Sequence, residues 1–162
     1  MLDVLFEQKL VQNIGLGAEA IFEVVAAYYK RERQMRGLPF PLVFLVLPLV
    51  FHRKTVVAIK SRAGVGALRK ALRSDREICI CLQQRMESMY ENTMAACSLA
   101  MEAGLVKYDF ETVQLIPART FPSQIHHDSD AVLDIRAAAK RVGTSFSELT
   151  LAEISTLLEV VF

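Results

Sequence analysis

The sequence has no tryptophan, only three histidines and only three cysteines, and each scarcity removes a class of function. Cys79, Cys81 and Cys97 are odd in number, so they do not spell a paired disulfide framework. They fall inside a helical pattern, where a buried structural thiol is expected. A Cys-x-Cys pair on a helix sends its two side chains about 200° apart, and no fourth ligand accompanies it, so zinc is not expected. Gly15-Leu16-Gly17 and Gly64-Val65-Gly66 are glycine pairs that complete neither a dinucleotide fingerprint nor a phosphate loop. No serine, cysteine or lysine stands in a pattern with a base and an orienting carboxylate. His126-His127-Asp128 is the one cluster to weigh, and it reads as a polar connector with Asp128 at the positive end of the next helix. The expectation is a non-enzymatic chain with no metal and no cofactor.

A long apolar run is also missing. Residues 38–51 are the most apolar stretch, but they are too short for about 30 Å of hydrocarbon and are interrupted by Pro39, Pro41 and Pro48. No membrane span is expected. Asp3 and Glu7 stand where an export signal would be basic and apolar, which makes the cytosol the expected compartment.

What the chain does have is apolar side chains: 52% of 162 residues are hydrophobic and the mean hydropathy is +0.29. That is enough for one compact domain and more than a small core can cover, so part of the surplus is expected to face a partner. Ile14, Ala18, Ile21, Val25 and Tyr28 recur at three- and four-residue steps, predicting a helix over about 17–36 that Gly37 ends. The proline-rich block reads as an apolar turn entering a short buried helix, and a further short helix covers about 65–73. Ser74-Asp75-Arg76-Glu77 spells a capping box for a helix of about seven turns, with Ile78, Leu82, Met86, Met89, Thr93, Cys97 and Ala100 on one stripe and Gly104 as its left-handed stop. Its methionines, Met86, Met89, Met94 and Met101, are core filling first and an adaptable partner groove second.

Val106 and Tyr108, then Val113 and Leu115, alternate with polar residues and predict a hairpin. Residues 119–128 read as a loop, and a helix over about 129–142 is closed by Gly143. Ser145 to Glu148 and Thr150 to Glu153 spell two more capping boxes before a last amphipathic helix. The fold expected is mainly α: one compact helical domain over 1–162, with a small winged-helix-like β-hairpin after the long central helix. Its parts are an N-terminal helical part of about 1–75, a winged-helix-like part of about 76–118 and C-terminal helices of about 129–162.

Charge is unevenly spread. Between Lys30 and Arg76 twelve basic residues face only Glu32 and Asp75, a local excess of ten, while the total is +1, so the remainder carries about nine net negative charges. Arg62, Arg69, Lys70, Arg73 and Arg76 are the candidate contacts to DNA or to an acidic partner. The apolar end, Val160-Val161-Phe162, is a candidate hydrophobic contact that docks on the chain's own core or on a partner.

Gly37-Leu38-Pro39-Phe40-Pro41-Leu42, running into Leu45-Val46-Leu47-Pro48-Leu49-Val50-Phe51-His52-Arg53-Lys54-Thr55, forms a specific proline, apolar and histidine signature. Looser matches lie at Asn13-Ile14-Gly15, at Thr93, Ala95 and Ala96 before Gly104-Leu105, at Val142-Gly143-Thr144-Ser145-Phe146 and at Glu153 to Val160, where Glu159 stands in place of the pattern's glycine. In this order the chain resembles the middle component of three-component ABC systems, the LmuC-like accessory subunit of Lamassu-type bacterial defence systems. Gly37, Leu38, Pro39, Pro41, Leu47, Pro48 and His52 are the signature residues, with structural roles. The resemblance implies a hetero-oligomer with an SMC/Rad50-like ATPase and an effector such as a nuclease, directed against phages and plasmids, with DNA reached through the complex. The basic segment and the hairpin support an alternative, a stand-alone winged-helix DNA-binding regulator.

Overall fold

The structure is a computed structural model, and it describes Leu5, residues 13–62, Gly64, residues 66–118 and residues 129–162. Among these residues eight helices pack with one small antiparallel sheet. Helix α1 (Ile14–Arg31) runs through the centre. The Asn13 carboxamide starts it, accepting from the Leu16 N–H at 2.9 Å. Its inner faces carry small and branched residues, including Ala18, Ala20, Ile21, Val24 and Val25, all buried. Arg33 and Gln34 then take left-handed conformations, so the helix stops five residues short of the expected Arg36.

Gly37 has another task. A side chain there would meet the Leu115 carbonyl oxygen at 2.5 Å, so only glycine lets strand β1 (Leu38–Pro39) lie against the hairpin. A 3₁₀ turn (Phe40–Leu42) then leads into α2 (Val43–Val50), the short buried helix expected of the proline block. Seven of its eight residues are buried, Pro48 among them. Helix α3 (Arg53–Lys60) follows, a helix that the sequence reading did not predict. It begins where His52 Nδ1 lies 2.7 Å from Thr55 Oγ1, and it buries Thr55, Val56 and Ile59. Helix α4 (Ala67–Ser74) buries Ala67, Leu68, Ala71 and Leu72, an i, i+1, i+4, i+5 stripe.

The expected seven-turn helix is broken. Ser74 ends α4 and does not cap a new helix. Its hydroxyl donates to the Ala71 carbonyl at 3.0 Å, and Glu77, the other half of the supposed capping box, pairs with Lys54 at 2.8 Å. Asp75 instead accepts from the Glu77 N–H at 2.9 Å and tightens 76–78 into a 3₁₀ turn, the usual way in which aspartate competes with a helix. Cys81 then turns left-handed, at φ 58°. Two helices follow, α5 (Leu82–Ser88) and α6 (Tyr90–Glu102), joined at Met89. Gly104, at φ +68°, closes α6 as expected.

The predicted hairpin forms as β2 (Val106–Asp109) and β3 (Gln114–Pro117). The sheet order is β1-β3-β2, with Leu38 opposite Leu115 and Tyr108 also opposite Leu115. The expected loop of 119–128, including His126, His127 and Asp128, lies outside the described residues, as does Val65.

Helix α7 (Asp130–Phe146) runs past the expected stop. Gly143 sits inside it at its crossing with α1, where an added Cβ would stand 2.3 Å from the Val24 carbonyl oxygen. Ser145 is likewise inside α7, so its capping box does not form; its hydroxyl accepts from the Leu68 N–H at 3.4 Å. The Thr150 box does form and starts α8 (Leu151–Leu158). Hydrogen bonds from the Thr150 N–H and hydroxyl hold the Glu153 carboxyl below its ordinary range.

The buried side chains form one continuous core that takes in α1, α2, the hairpin and the C-terminal helices. Among the described residues no single helix is long and apolar enough to cross a membrane. One bent pair, Phe40–Val50 with Arg53–Lys60, has the length and composition but turns by 96°, and α2 lies inside the core.

The three thiols differ in ways that a reagent can read. Burial pushes Cys97 up to about 11 and raises Cys79, while Cys81 is exposed. Because the thiolate is the reacting form, Cys97 at pH 8 is roughly one part in a thousand ionised. Iodoacetamide is expected to modify Cys81 first and to leave Cys97 untouched until denaturant is added. Peptide mapping by mass spectrometry checks the order, and early labelling of Cys97 would contradict the packing around α6.

Candidate functional site

The signature residues are placed for packing. Leu38 and Leu47 are buried at 0% and 1% exposure, Gly37 and Pro48 are buried, and Pro39 and Pro41 bracket Phe40 in the chain turn between β1 and α2. The Gly37 N–H donates to Gln114 Oε1 at 2.9 Å, which fixes the start of β1 on β3. His52 precedes α3 and bonds within its first turn. This block aligns the sheet with the helical core and turns two of its side chains, Phe40 and Phe44, outward to half-exposed positions.

The basic candidates separate into two kinds. Arg62 is half-buried and structural: its guanidinium donates to the Ala58 carbonyl and to Ser74 Oγ, joining α3 to α4. Arg69, Lys70, Arg73 and Arg76 are exposed on α4 and the turn after it. Their surroundings are less positive than the sequence count suggests. Glu153 lies close enough to Arg69 to be stabilised by it, and the two share a shallow hollow with Leu149, Ala152, Thr156 and Leu157. Lys54 pairs with Glu77, Lys60 with Asp134 at 2.7 Å and Arg31 with Glu148 at 3.7 Å. Each exposed pair contributes little stability, but together they thin the field of the segment. A cleft of about 770 Å³ between α3 and α4 is lined by His52, Arg53, Lys54 and Arg62 on one hand and by Asp75 and Glu77 on the other.

Of the apolar C-terminal candidates, Val160 docks on the chain's own core at 3% exposure, its N–H donating to Ser155 O at 3.0 Å. Val161 and Phe162 remain exposed at 76% and 43%. The Val161 N–H donates to Gln83 Oε1 at 3.0 Å, tying this segment to α5.

Sequence reasoning missed the most distinctive surface. Five aromatic rings form a continuous ladder: Tyr90 stacks on Phe44 with centroids 5.2 Å apart and planes 6° from parallel. Phe44 meets Phe40 edge-on at 5.8 Å, Phe40 meets Tyr108 at 5.2 Å, and Tyr108 meets Phe110 at 4.8 Å. Both ends are open, Tyr90 at 53% exposure and Phe110 at 83%. The hairpin turn presents Phe110 through Asp109, whose carboxylate accepts from Thr112 Oγ1 at 2.6 Å and from the Glu111 N–H at 3.0 Å. Those two bonds hold the Asp109 carboxyl below its ordinary range, so it is an anion at neutral pH. Two local signals were present, Phe40 with Phe44 one helical turn on and Tyr108 with Phe110 two residues on, but nothing local joins the pairs.

A second missed feature is internal. Glu23 on α1 is 6% exposed, and Arg136 on α7 donates to its Oε1 through Nε at 3.0 Å and Nη2 at 2.8 Å, with Lys140 Nζ 3.8 Å from Oε2. On the same helix Arg141 donates to the Ile59 carbonyl at 3.1 Å and to the Lys60 carbonyl, satisfying the end of α3. Among the described residues no group of three or more His, Cys, Asp or Glu is placed to hold a metal ion.

No curated protein and no solved structure matches the chain. A protein-family model does, over residues 2–162. That span takes in the whole arrangement described above, from the central helix to the apolar end, and the chain belongs to the family described as ABC-three component (ABC-3C) system Middle Component 3.

Proposed function

We propose that the chain is a non-enzymatic accessory subunit of a Lamassu-type defence complex, acting against phages and plasmids by linking an SMC-like ATPase to an effector such as a nuclease. The observation that carries the reading is the family match across the chain, since a middle component implies partner subunits. The proline, apolar and histidine block supports the narrower Lamassu assignment. The aromatic ladder supports a docking role, because exposed, mutually packed Tyr and Phe side chains are the stuff of interface centres.

The alternative, a stand-alone winged-helix DNA-binding regulator, has one observation in its favour: a helix followed by a tight glycine turn and a hairpin, with a third strand on that hairpin. Charge weighs against it. The helix before the hairpin, α6, carries Glu91 and Glu102 and no lysine or arginine, so it would bring carboxylates to the phosphates.

The test is to tag this chain within its operon, purify it gently and identify its companions by mass spectrometry. An SMC-like ATPase and a third protein are expected. Recovery with DNA alone would favour the regulator and overturn the accessory reading.

A further inference from the structure

Three of the ladder's five rings, Tyr90, Tyr108 and Phe110, lie in the acidic part of the chain. Residues 77–118 carry Glu77, Glu87, Glu91, Glu102, Asp109 and Glu111 against Arg85 and Lys107. Arg85 is turned inward, donating to the Ile78 carbonyl at 2.9 Å, which leaves Lys107 as the exposed cation of this stretch. The chain neighbours of the two open rings are acidic: Glu91 follows Tyr90, and Asp109 and Glu111 flank Phe110. Open, electron-rich rings with exposed acidic neighbours in the chain favour a cation, above all the flat guanidinium of arginine.

We propose that the ladder Tyr90–Phe44–Phe40–Tyr108–Phe110, with its rim of Glu91, Asp109 and Glu111, is the docking surface for an arginine- or lysine-bearing segment of a partner protein subunit. The proposal rests on the accessory-subunit reading for the existence of that partner; the ladder's geometry and charge supply its chemistry. Other occupants fit worse. A single-stranded nucleic acid would stack on the rings but needs a cationic groove along its phosphates, and the rim is anionic. An anionic lipid surface is repelled for the same reason. A second copy of this chain, meeting the ladder across a two-fold axis, would set Glu91, Asp109 and Glu111 against themselves.

Three tagged forms expressed with the whole operon test this: the natural chain, Tyr90→Ala/Phe110→Ala and Glu91→Lys/Glu111→Lys. All four side chains are exposed; the glutamate variant is expected to keep the natural melting temperature, and the aromatic variant, which loses two ring contacts of about 1 kcal/mol each, to melt a few degrees lower and stay folded under the conditions of purification. Quantitative mass spectrometry is expected to show the same one subunit falling about tenfold or more in both variants, as for truncation of interface anchors. A photo-crosslinking benzoylphenylalanine at position 110 is expected to join that subunit within a few residues of an arginine or lysine. Full retention of every subunit in both variants overturns the docking surface, and loss in the aromatic variant alone overturns its cationic occupant. A crosslink to a second copy of the chain or to nucleic acid overturns it as well. If the natural chain itself brings down no other protein, it is the accessory reading that fails, and this proposal falls with it.

Discussion

Gly143→Ala is expected to cost about 3 kcal/mol or more, and Gly143→Val to abolish folding. At the crossing of α1 and α7 the added methyl carbon would lie 2.3 Å from the Val24 carbonyl oxygen and 3.0 Å from two further Val24 backbone atoms. A flexible side chain could swing aside, but backbone cannot, so the helices must part along a contact that buries Ile21, Val24, Ala139 and Val142. Overpacking of this kind lies at the upper end of core substitutions. For a chain of this size each kcal/mol moves the melting temperature by about 2–4 °C, so alanine should lower it by about 6–12 °C. Gly66→Ala is the control: its φ is −86° and an added Cβ there meets nothing within 4 Å, so the change should stay within about 0.5 kcal/mol. Thermal unfolding of the two variants side by side decides the matter. A Gly143→Ala protein as stable as the natural one would mean that α1 and α7 do not cross as described.

Glu23→Ala is expected to cost about 3 kcal/mol, because it removes the 6% exposed carboxylate that takes two hydrogen bonds from Arg136, at 3.0 and 2.8 Å. Breaking such a buried pair by removing one partner costs more than replacing both partners by apolar side chains of similar volume. Glu23→Leu combined with Arg136→Met should therefore recover to within about 1 kcal/mol of the natural chain. Urea denaturation of single and double variants gives the coupling directly. Additive losses, with the double variant the least stable, would contradict a paired and desolvated Glu23. If both results hold, α1 and α7 are held together by a steric fit and by one buried ion pair. The steric fit leaves no room for a side chain, and the ion pair can be exchanged for apolar contact only as a whole.

These two features also show where the sequence was legible and where it was not. Local chemistry was readable. The stripe of α1, the short buried helix in the proline block, Gly104 after α6, the alternation of the hairpin and the Thr150 capping box all depend on neighbours within a few residues, and all are present. What failed was local chemistry overridden from a distance. Gly143 and Ser145 look like a helix end and a cap, yet α1 needs the missing Cβ of one and the Leu68 N–H uses the hydroxyl of the other. Ser74 and Glu77 fit a capping box, but Lys54 draws Glu77 away and Asp75 closes its own turn. The basic count over 30–76 is correct as a sum, and as a surface it is thinned at Lys60 and Arg31, where Asp134 and Glu148 come back from the far end of the chain.

The candidate docking surface was hidden for the same reason. Phe40 and Tyr108 are 68 positions apart and meet because β1 and β2 both pair with β3, a register that Gly37 permits and no nearby residue announces. The signature block is thus tied to the proposed docking surface in a way its burial alone would not suggest: it fixes the strand that leads Phe40 up to Tyr108. Its conformational precision is a condition for the ladder, and the ladder is where this small helical chain shows its most specific chemistry to the outside.

The account stands on this chain working as one subunit among several, and native mass spectrometry of the gently purified, tagged chain from cells expressing the whole operon tests it most directly. The account predicts a hetero-complex whose mass resolves into this 18.2 kDa chain, a large SMC-like ATPase and a third protein. A species of 18.2 kDa alone, or a multiple of it, would contradict the account.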